Sequence, residues 1–104
     1  KAVWNIESYG NIESGGSIKS GGSIESYGNI ESYGNIKAVW NIESYGNIKA
    51  GWNIESGGSI KSGWNYGIYA GVGVMVFQKH LYAKVVAKTK PKNILQGIFE
   101  EKKK

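Results

Sequence analysis

The sequence predicts an all-β protein: a three-sided parallel β-solenoid with about 18 residues per coil and a C-terminal β-rich cap. Isoleucine recurs ten times at an interval of six residues between Ile6 and Ile60, a period that no helix has. Because six is even, strand alternation keeps each Ile, and the small Ser or Ala two residues later, on one face. Each hexad therefore has one apolar face that only stacking against other hexads can bury.

Side chains that recur at longer intervals indicate how many hexads form one coil. A coil of 12 residues would alternate Tyr9 with Gly21, whereas the segments KAVWNI at 1–6 and 37–42 lie 36 residues apart, which is two coils of 18. A coil of 18 residues also builds a tyrosine column and an asparagine column: Tyr9, Tyr27 and Tyr45, and Asn11, Asn29, Asn47 and Asn65. Three hexads per coil is therefore the favoured closure.

The same register stacks like charges. It places glutamates in one column and lysines in another: Glu7, Glu25 and Glu43, and Lys1, Lys19 and Lys37. Directly opposed like charges destabilise a sheet, and exposure to solvent limits the cost to tenths of a kcal/mol per pair. Burial of each Ile contributes about 1.5–3 kcal/mol, so the register is favoured in spite of the charges.

The repeat is interrupted after Gly63, where Trp64 and Asn65 are inserted. This divides the chain into a hexapeptide-repeat solenoid at 1–65 and a basic capping segment at 66–104. In the capping segment, the apolar run 74–77 predicts a strand buried on both faces, and 81–89 predicts a second strand. Residues 93–101 fit a strand or a short helix, and Gly97 favours the strand.

Composition excludes several classes of site. The chain has no Cys, Asp or Arg, which removes disulfides, thiolate metal sites and Asp-His triads. His80 is the one histidine and has no partner in sequence, so we expect no catalytic residue, no cofactor and no metal. No apolar run approaches the roughly 20 residues of a membrane span. The missing initial Met suggests processing, and the absence of Cys leaves the compartment open, with the cytoplasm favoured.

Tryptophan and tyrosine form the first candidate surface. Four tryptophans occupy the hexad position that otherwise holds Gly, close to a corner where an indole has little room to point inward. If they point outward, they extend the tyrosine column into an exposed aromatic stripe of the kind found on recognition surfaces. The alternative is packing at the corners or against another copy. The predicted interaction surface contains Trp4, Trp40, Trp52, Trp64, Tyr9, Tyr27 and Tyr45.

The second candidate surface is basic. Residues 1–65 carry five Lys and six Glu, a net charge of −1, whereas residues 66–104 carry eight Lys and two Glu, a net charge of +6. Lysines beside Tyr82 and Phe99 could hold phosphates and stack a base, although the absence of Arg limits reading of base edges. Alternatively, they keep the cap soluble and protect a sheet edge. The predicted basic contact contains Lys79, Lys84, Lys88, Lys90 and Lys92.

The hexads Gly-Asn-Ile-Glu-Ser at 28–32 and Gly-Asn-Ile-Lys-Ala at 46–50 resemble the repeats of bactofilins, bacterial polymer-forming cytoskeletal proteins. The resemblance covers residues 1–63 and implies a right-handed three-sided solenoid, end-to-end polymerisation and no enzymatic activity. Hexapeptide acyltransferases, which have left-handed β-helices, place the small residue differently relative to the aliphatic one.

Two functions follow as hypotheses. The first is a non-enzymatic interaction protein that self-assembles into a dimer or filament through its coil edge or aromatic stripe. The second is a small rigid inhibitor or adaptor, possibly virus-encoded, whose basic cap binds a host nucleic-acid enzyme or nucleic acid.

Overall fold

The computed structural model describes residues 5–63, 66–72, 83–88, 91 and 93–101, and the regular structure within these ranges is all β-strand. The strands form three parallel sheets, here called A, B and C. Sheet A contains β1 (Ile6–Ser8), β4 (Ile24–Ser26), β7 (Ile42–Ser44) and β10 (Ile60–Lys61). Sheet B contains β2 (Ile12–Ser14), β5 (Ile30–Ser32), β8 (Ile48–Ala50), β11 (Ile68–Tyr69) and β13 (Ile94–Gln96). Sheet C contains β3 (Ile18–Ser20), β6 (Ile36–Ala38), β9 (Ile54–Ser56), β12 (Lys84–Ala87) and β14 (Ile98–Glu101).

The strand register confirms a three-sided parallel β-solenoid with 18 residues per coil. Ile6 pairs with Ile24, and Ile24 pairs with Ile42, so each coil returns to the same side after 18 residues. The four strands of sheet A correspond to four coils. The like-charge columns are also present, since Glu7 neighbours Glu25 and Lys19 neighbours Lys37, while Lys1 lies outside the described residues.

The core is a triangular stack of isoleucines. In β1 to β9 the first residue of each strand is an Ile that points inward, and the isoleucines of the second and third coils are 0% exposed: Ile24, Ile30, Ile36, Ile42, Ile48 and Ile54. The third residue of each of these nine strands is a small Ser or Ala that also points inward, and the Glu or Lys between them points to solvent. In the first coil, Ile6 and Ile12 are only half-buried, whereas Ile18 is 6% exposed.

The inward serines are buried without losing their hydrogen bonds. The Ser44 hydroxyl donates to the Gly28 carbonyl of the previous coil at 2.6 Å and accepts from the Gly46 N–H at 2.9 Å. Ser26 and Ser32 bridge their coils in the same way. Every buried side-chain polar atom in the described part of the chain has a partner, so the desolvation cost of these hydroxyls is offset.

Side-chain oxygens connect successive coils at the corners. At the corner between sheets A and B, the Asn29 N–H donates to Asn11 Oδ1 and the Asn47 N–H donates to Asn29 Oδ1, both at 2.7 Å. The predicted asparagine column is thus present for its first three members. Asn65 lies outside the described residues, and the Gly67 N–H makes the next bond of the ladder, to Asn47 Oδ1 at 2.9 Å.

The strands after residue 65 extend sheets B and C. Ile68 pairs with Ile48, which lies 20 residues earlier instead of 18, so Ile still pairs with Ile within sheet B. The predicted strand over 81–89 is confirmed for Lys84–Ala87 by β12, whose Val85 pairs with Ile54, while residues 81, 82 and 89 lie outside the described residues. The predicted strand at 74–77 lies outside the described residues.

Residues 93–101 are β-strand, as Gly97 suggested, but they form two strands where one was expected. Gly97 has a φ of +125°, a conformation that L side chains rarely adopt, and it turns the chain from sheet B to sheet C. The hydrophobic pattern alone predicted one continuous strand because it gives no sign of this corner.

We expect Ile30→Ala to lower the free energy of unfolding by about 2–5 kcal/mol, because it opens a cavity in a fully covered layer of the core. The matched change Ile12→Ala lies one coil earlier on the same side, where the side chain is already half-exposed, and should cost clearly less. Urea denaturation of the two variants measures the difference. Equal losses would show that the first coil is packed as tightly as the second.

Candidate interaction surfaces

Tyr9, Tyr27 and Tyr45, here called the tyrosine column, lie on the corner between sheets A and B. The rings of Tyr9 and Tyr27 have centroids 5.0 Å apart with an interplanar angle of 25°, and those of Tyr27 and Tyr45 are 4.9 Å apart and nearly parallel at 1°. The strand spacing of about 4.8 Å sets this separation. The rings are 88%, 59% and 64% exposed, so the column is a surface feature.

Carboxylates flank the tyrosine column on both sides. Two residues before each tyrosine is the outward glutamate of sheet A, and four residues after it is the next outward position, which lies on sheet B. In the first coil these residues are Glu7, Tyr9 and Glu13. In the first two coils both positions hold Glu, and in the third coil Glu43 faces Lys49 across the corner. The column and its glutamates form what we call the acidic tyrosine face: Tyr9, Tyr27, Tyr45, Glu7, Glu25, Glu43, Glu13 and Glu31.

The structure places the described tryptophans on other corners. Trp40 is 54% exposed between sheets C and A, and Trp52 is 47% exposed between sheets B and C. They point outward as expected, but they do not share one stripe with the tyrosine column, because their hexads fall on different sides of the coil. Trp4 and Trp64 lie outside the described residues.

Tyr33 is an exposed aromatic residue that sequence reasoning missed. It is 82% exposed on the corner between sheets B and C, at the hexad position that Tyr27 occupies on its own corner. The residue one coil before it is Gly15 and the residue one coil after it is Gly51. The 18-residue period could have identified it as a tyrosine with glycine above and below.

Shallow grooves occur where a large corner residue is followed by glycine in the next coil. The groove at Tyr45 and Gly63 has a volume of about 480 Å³, and Glu43, Lys61 and Tyr66 complete its lining. Similar grooves adjoin Tyr33 with Gly51 and Val39 with Gly57. Within the described ranges, no three His, Asp, Glu or Cys side chains are grouped so that they could hold a metal ion.

The basic contact is only partly within the described residues. Lys84 forms an ion pair with Glu100 of the neighbouring strand at 3.2 Å, and Lys88 is exposed at the end of β12. Lys79, Lys90 and Lys92 lie outside the described residues, as does His80. A nucleic-acid or enzyme contact through these lysines therefore stays a prediction from charge.

Comparison of the chain with protein-family models, curated proteins and solved structures gives no significant match. The resemblance to bactofilins therefore rests on the repeat pattern and the solenoid architecture. In the part of the chain that the structure describes, no helix has the length and apolar character needed to cross a membrane.

Replacing Tyr27 by Ser should lower the free energy of unfolding by about 1–3 kcal/mol, since it removes both stacked pairs of the column, each worth about 0.5–1.5 kcal/mol. Tyr33→Ser is the matched control, because it removes an exposed tyrosine from the same coil that has no stacking partner among the described residues. Thermal unfolding followed by circular dichroism compares the two. Similar melting temperatures would mean that the stack contributes nothing to stability.

Proposed function

We propose that this chain is a non-enzymatic β-solenoid interaction protein that self-associates through the edge of its first coil. The observation that carries the proposal is the one-sided pairing of β1, β2 and β3. Each is the first strand of its sheet and pairs on one side only among the described residues. An edge strand offers a row of unpaired backbone groups on which another chain can add a strand.

The direction of the backbone groups defines this edge. The Ile12 N–H donates to the Asn29 carbonyl of the second coil at 2.9 Å. Successive residues of a strand direct their hydrogen-bonding groups to opposite sides. The N–H and C=O of Glu13 therefore point away from the second coil, where a strand from another copy would bond to them.

The apolar surface of the first coil also favours self-association at this edge. Ile6 and Ile12 are half-buried, whereas the isoleucines stacked above them, Ile24 and Ile30, are 0% exposed. A second copy placed against the first coil would cover the remaining apolar surface, at about 25 cal/mol for each Å² removed from water.

A closed dimer is favoured over a filament. Two first coils that meet around a two-fold axis use the same edge on both copies, so the contact closes. The last described strands are less regular: the pairing of β11 with β13 shifts register between Ile68 and Tyr69, and β14 ends in exposed Glu100 and Glu101. Charged side chains and irregular pairing on an edge strand discourage strand addition.

Glu13→Pro tests the edge. Proline removes an N–H that has no acceptor within the coil stack, so we expect a variant that melts close to the parent protein but sediments as a monomer at concentrations where the parent is dimeric. Glu13→Ala is the matched control, because it removes the same carboxylate, keeps the N–H and should remain dimeric. Sedimentation velocity over a hundredfold concentration range measures all three.

Two results would contradict the proposal. One is a parent protein that is monomeric at every concentration. The other is a folded Glu13→Pro variant that dimerises like the parent, which would place the contact elsewhere on the solenoid.

A further inference from the structure

We propose that the acidic tyrosine face is a docking surface for a lysine-rich extended segment of a partner polypeptide. This contact lies on the side of the solenoid and is independent of the first-coil edge. Three features of the face carry the inference: an exposed aromatic ridge, more carboxylates than lysines beside it, and a repeat along the solenoid axis that matches an extended chain.

The tyrosine column presents ring edges and hydroxyls to solvent. Because the three rings stack on one another at 5.0 and 4.9 Å, their faces are largely turned towards each other. What remains exposed is a narrow apolar ridge that carries a row of phenolic oxygens. Phenolic oxygens accept hydrogen bonds, and the aliphatic stems of lysine pack on apolar surface while their ammonium groups stay in contact with water or carboxylates.

Among the described residues, none of the carboxylates beside the ridge belongs to an ion pair, although Lys49 neighbours Glu31 and Lys61 neighbours Glu43 in the next coil. The ion pairs found there involve Glu55 and Glu100, neither of which belongs to the acidic tyrosine face. On sheet C the corresponding column brings Lys37 to within 3.7 Å of Glu55, so outward positions of this solenoid accommodate opposite charges in neighbouring coils. On sheet A the outward column runs Glu7, Glu25, Glu43 and then Lys61, so like charges lie one coil apart over the first three coils.

Stacked carboxylates repel one another, and a cation bound between them is attracted to both, which offsets the repulsion. A cationic ligand therefore gains more on this face than it would from the same carboxylates scattered over a surface. A polyanion such as nucleic acid is repelled by the same groups, which excludes it from this side of the molecule. The chemistry of the face thus specifies a cation that also carries apolar surface.

The repeat along the face suits an extended polypeptide. The column spans two gaps of 5.0 and 4.9 Å between Tyr9 and Tyr45. An extended chain rises about 3.3 Å per residue, so roughly three residues cover this length and direct alternate side chains to opposite sides. Lysines along such a segment would reach the glutamates of sheet A on one side and those of sheet B on the other.

A fluorescently labelled decalysine peptide tests the proposal by anisotropy, at low and at physiological salt. The whole chain carries a net charge of +5, so its overall charge repels this probe and binding has to come from a local acidic surface. We expect salt-sensitive binding of decalysine, and an affinity about tenfold lower when Glu7, Glu25 and Glu43 are all changed to Gln.

Matched variants distinguish binding at the acidic tyrosine face from an effect of net charge and from loss of the fold. Glu25→Gln should weaken binding, whereas Glu55→Gln makes the same change in net charge on sheet C and should leave binding unchanged. Tyr27→Ser should weaken binding and Tyr33→Ser should not, and circular dichroism shows which variants keep the solenoid. Equal effects of Glu25→Gln and Glu55→Gln, or no binding by the folded parent, would overturn the proposal.

The same titration distinguishes this contact from self-association. If decalysine binds and the sedimentation coefficient of the dimer is unchanged, the acidic tyrosine face is free for a partner, as proposed. If decalysine dissociates the dimer, the face belongs to a contact between copies, and the proposal of a separate partner is overturned. Loss of the dimer in Glu13→Pro, with decalysine binding equal to that of Glu13→Ala, which removes the same carboxylate, would confirm that the two surfaces are independent.

Discussion

The return of the chain to the same side after 18 residues is the constraint on which the rest of the structure depends. It places Ile on Ile, Asn on Asn and Tyr on Tyr at the spacing of a β-sheet, so the same side-chain contacts form in each successive coil. The Ser44 hydroxyl illustrates this, because it accepts a hydrogen bond from the Gly46 N–H of its own corner and donates one to the Gly28 carbonyl of the preceding coil. A shift of one residue would turn every inward side chain to solvent.

The same constraint explains why charge is arranged in columns. A solenoid cannot place a residue on its surface without placing the equivalent residue of the next coil beside it. Where the repeat is strict, as at Glu7 and Glu25, this creates like-charge neighbours. Where the repeat has changed, as at Lys37 and Glu55, it creates an ion pair. The acidic columns therefore occur in the most regular coils. A ligand of opposite charge that binds there would relieve the repulsion between neighbouring carboxylates.

Much of the fold could be predicted because its information is local and periodic. Strand alternation and the 18-residue match identified the inward Ile, the tyrosine column and the asparagine ladder. The corner at Gly97 could not be predicted, since a positive φ has no signature in a hydrophobic pattern. The separation of Trp40 and Trp52 from the tyrosines was missed for another reason: outward direction was inferred for each hexad, but the side of the coil was not followed for each tryptophan.

The two proposed surfaces differ in the way they arise from the fold. At the first-coil edge the described strands pair on one side only, so a contact there would repeat the physics of the interior: backbone pairing and burial of Ile. The acidic tyrosine face is a side of the stack, and its contact depends on what the repeat places outward, which the core does not constrain. Glycine, valine and tyrosine all occupy the first corner position in this chain, at Gly21, Val39 and Tyr45. Because the core tolerates each of them, the alignment of Tyr9, Tyr27 and Tyr45 in one column marks a surface that packing alone does not require.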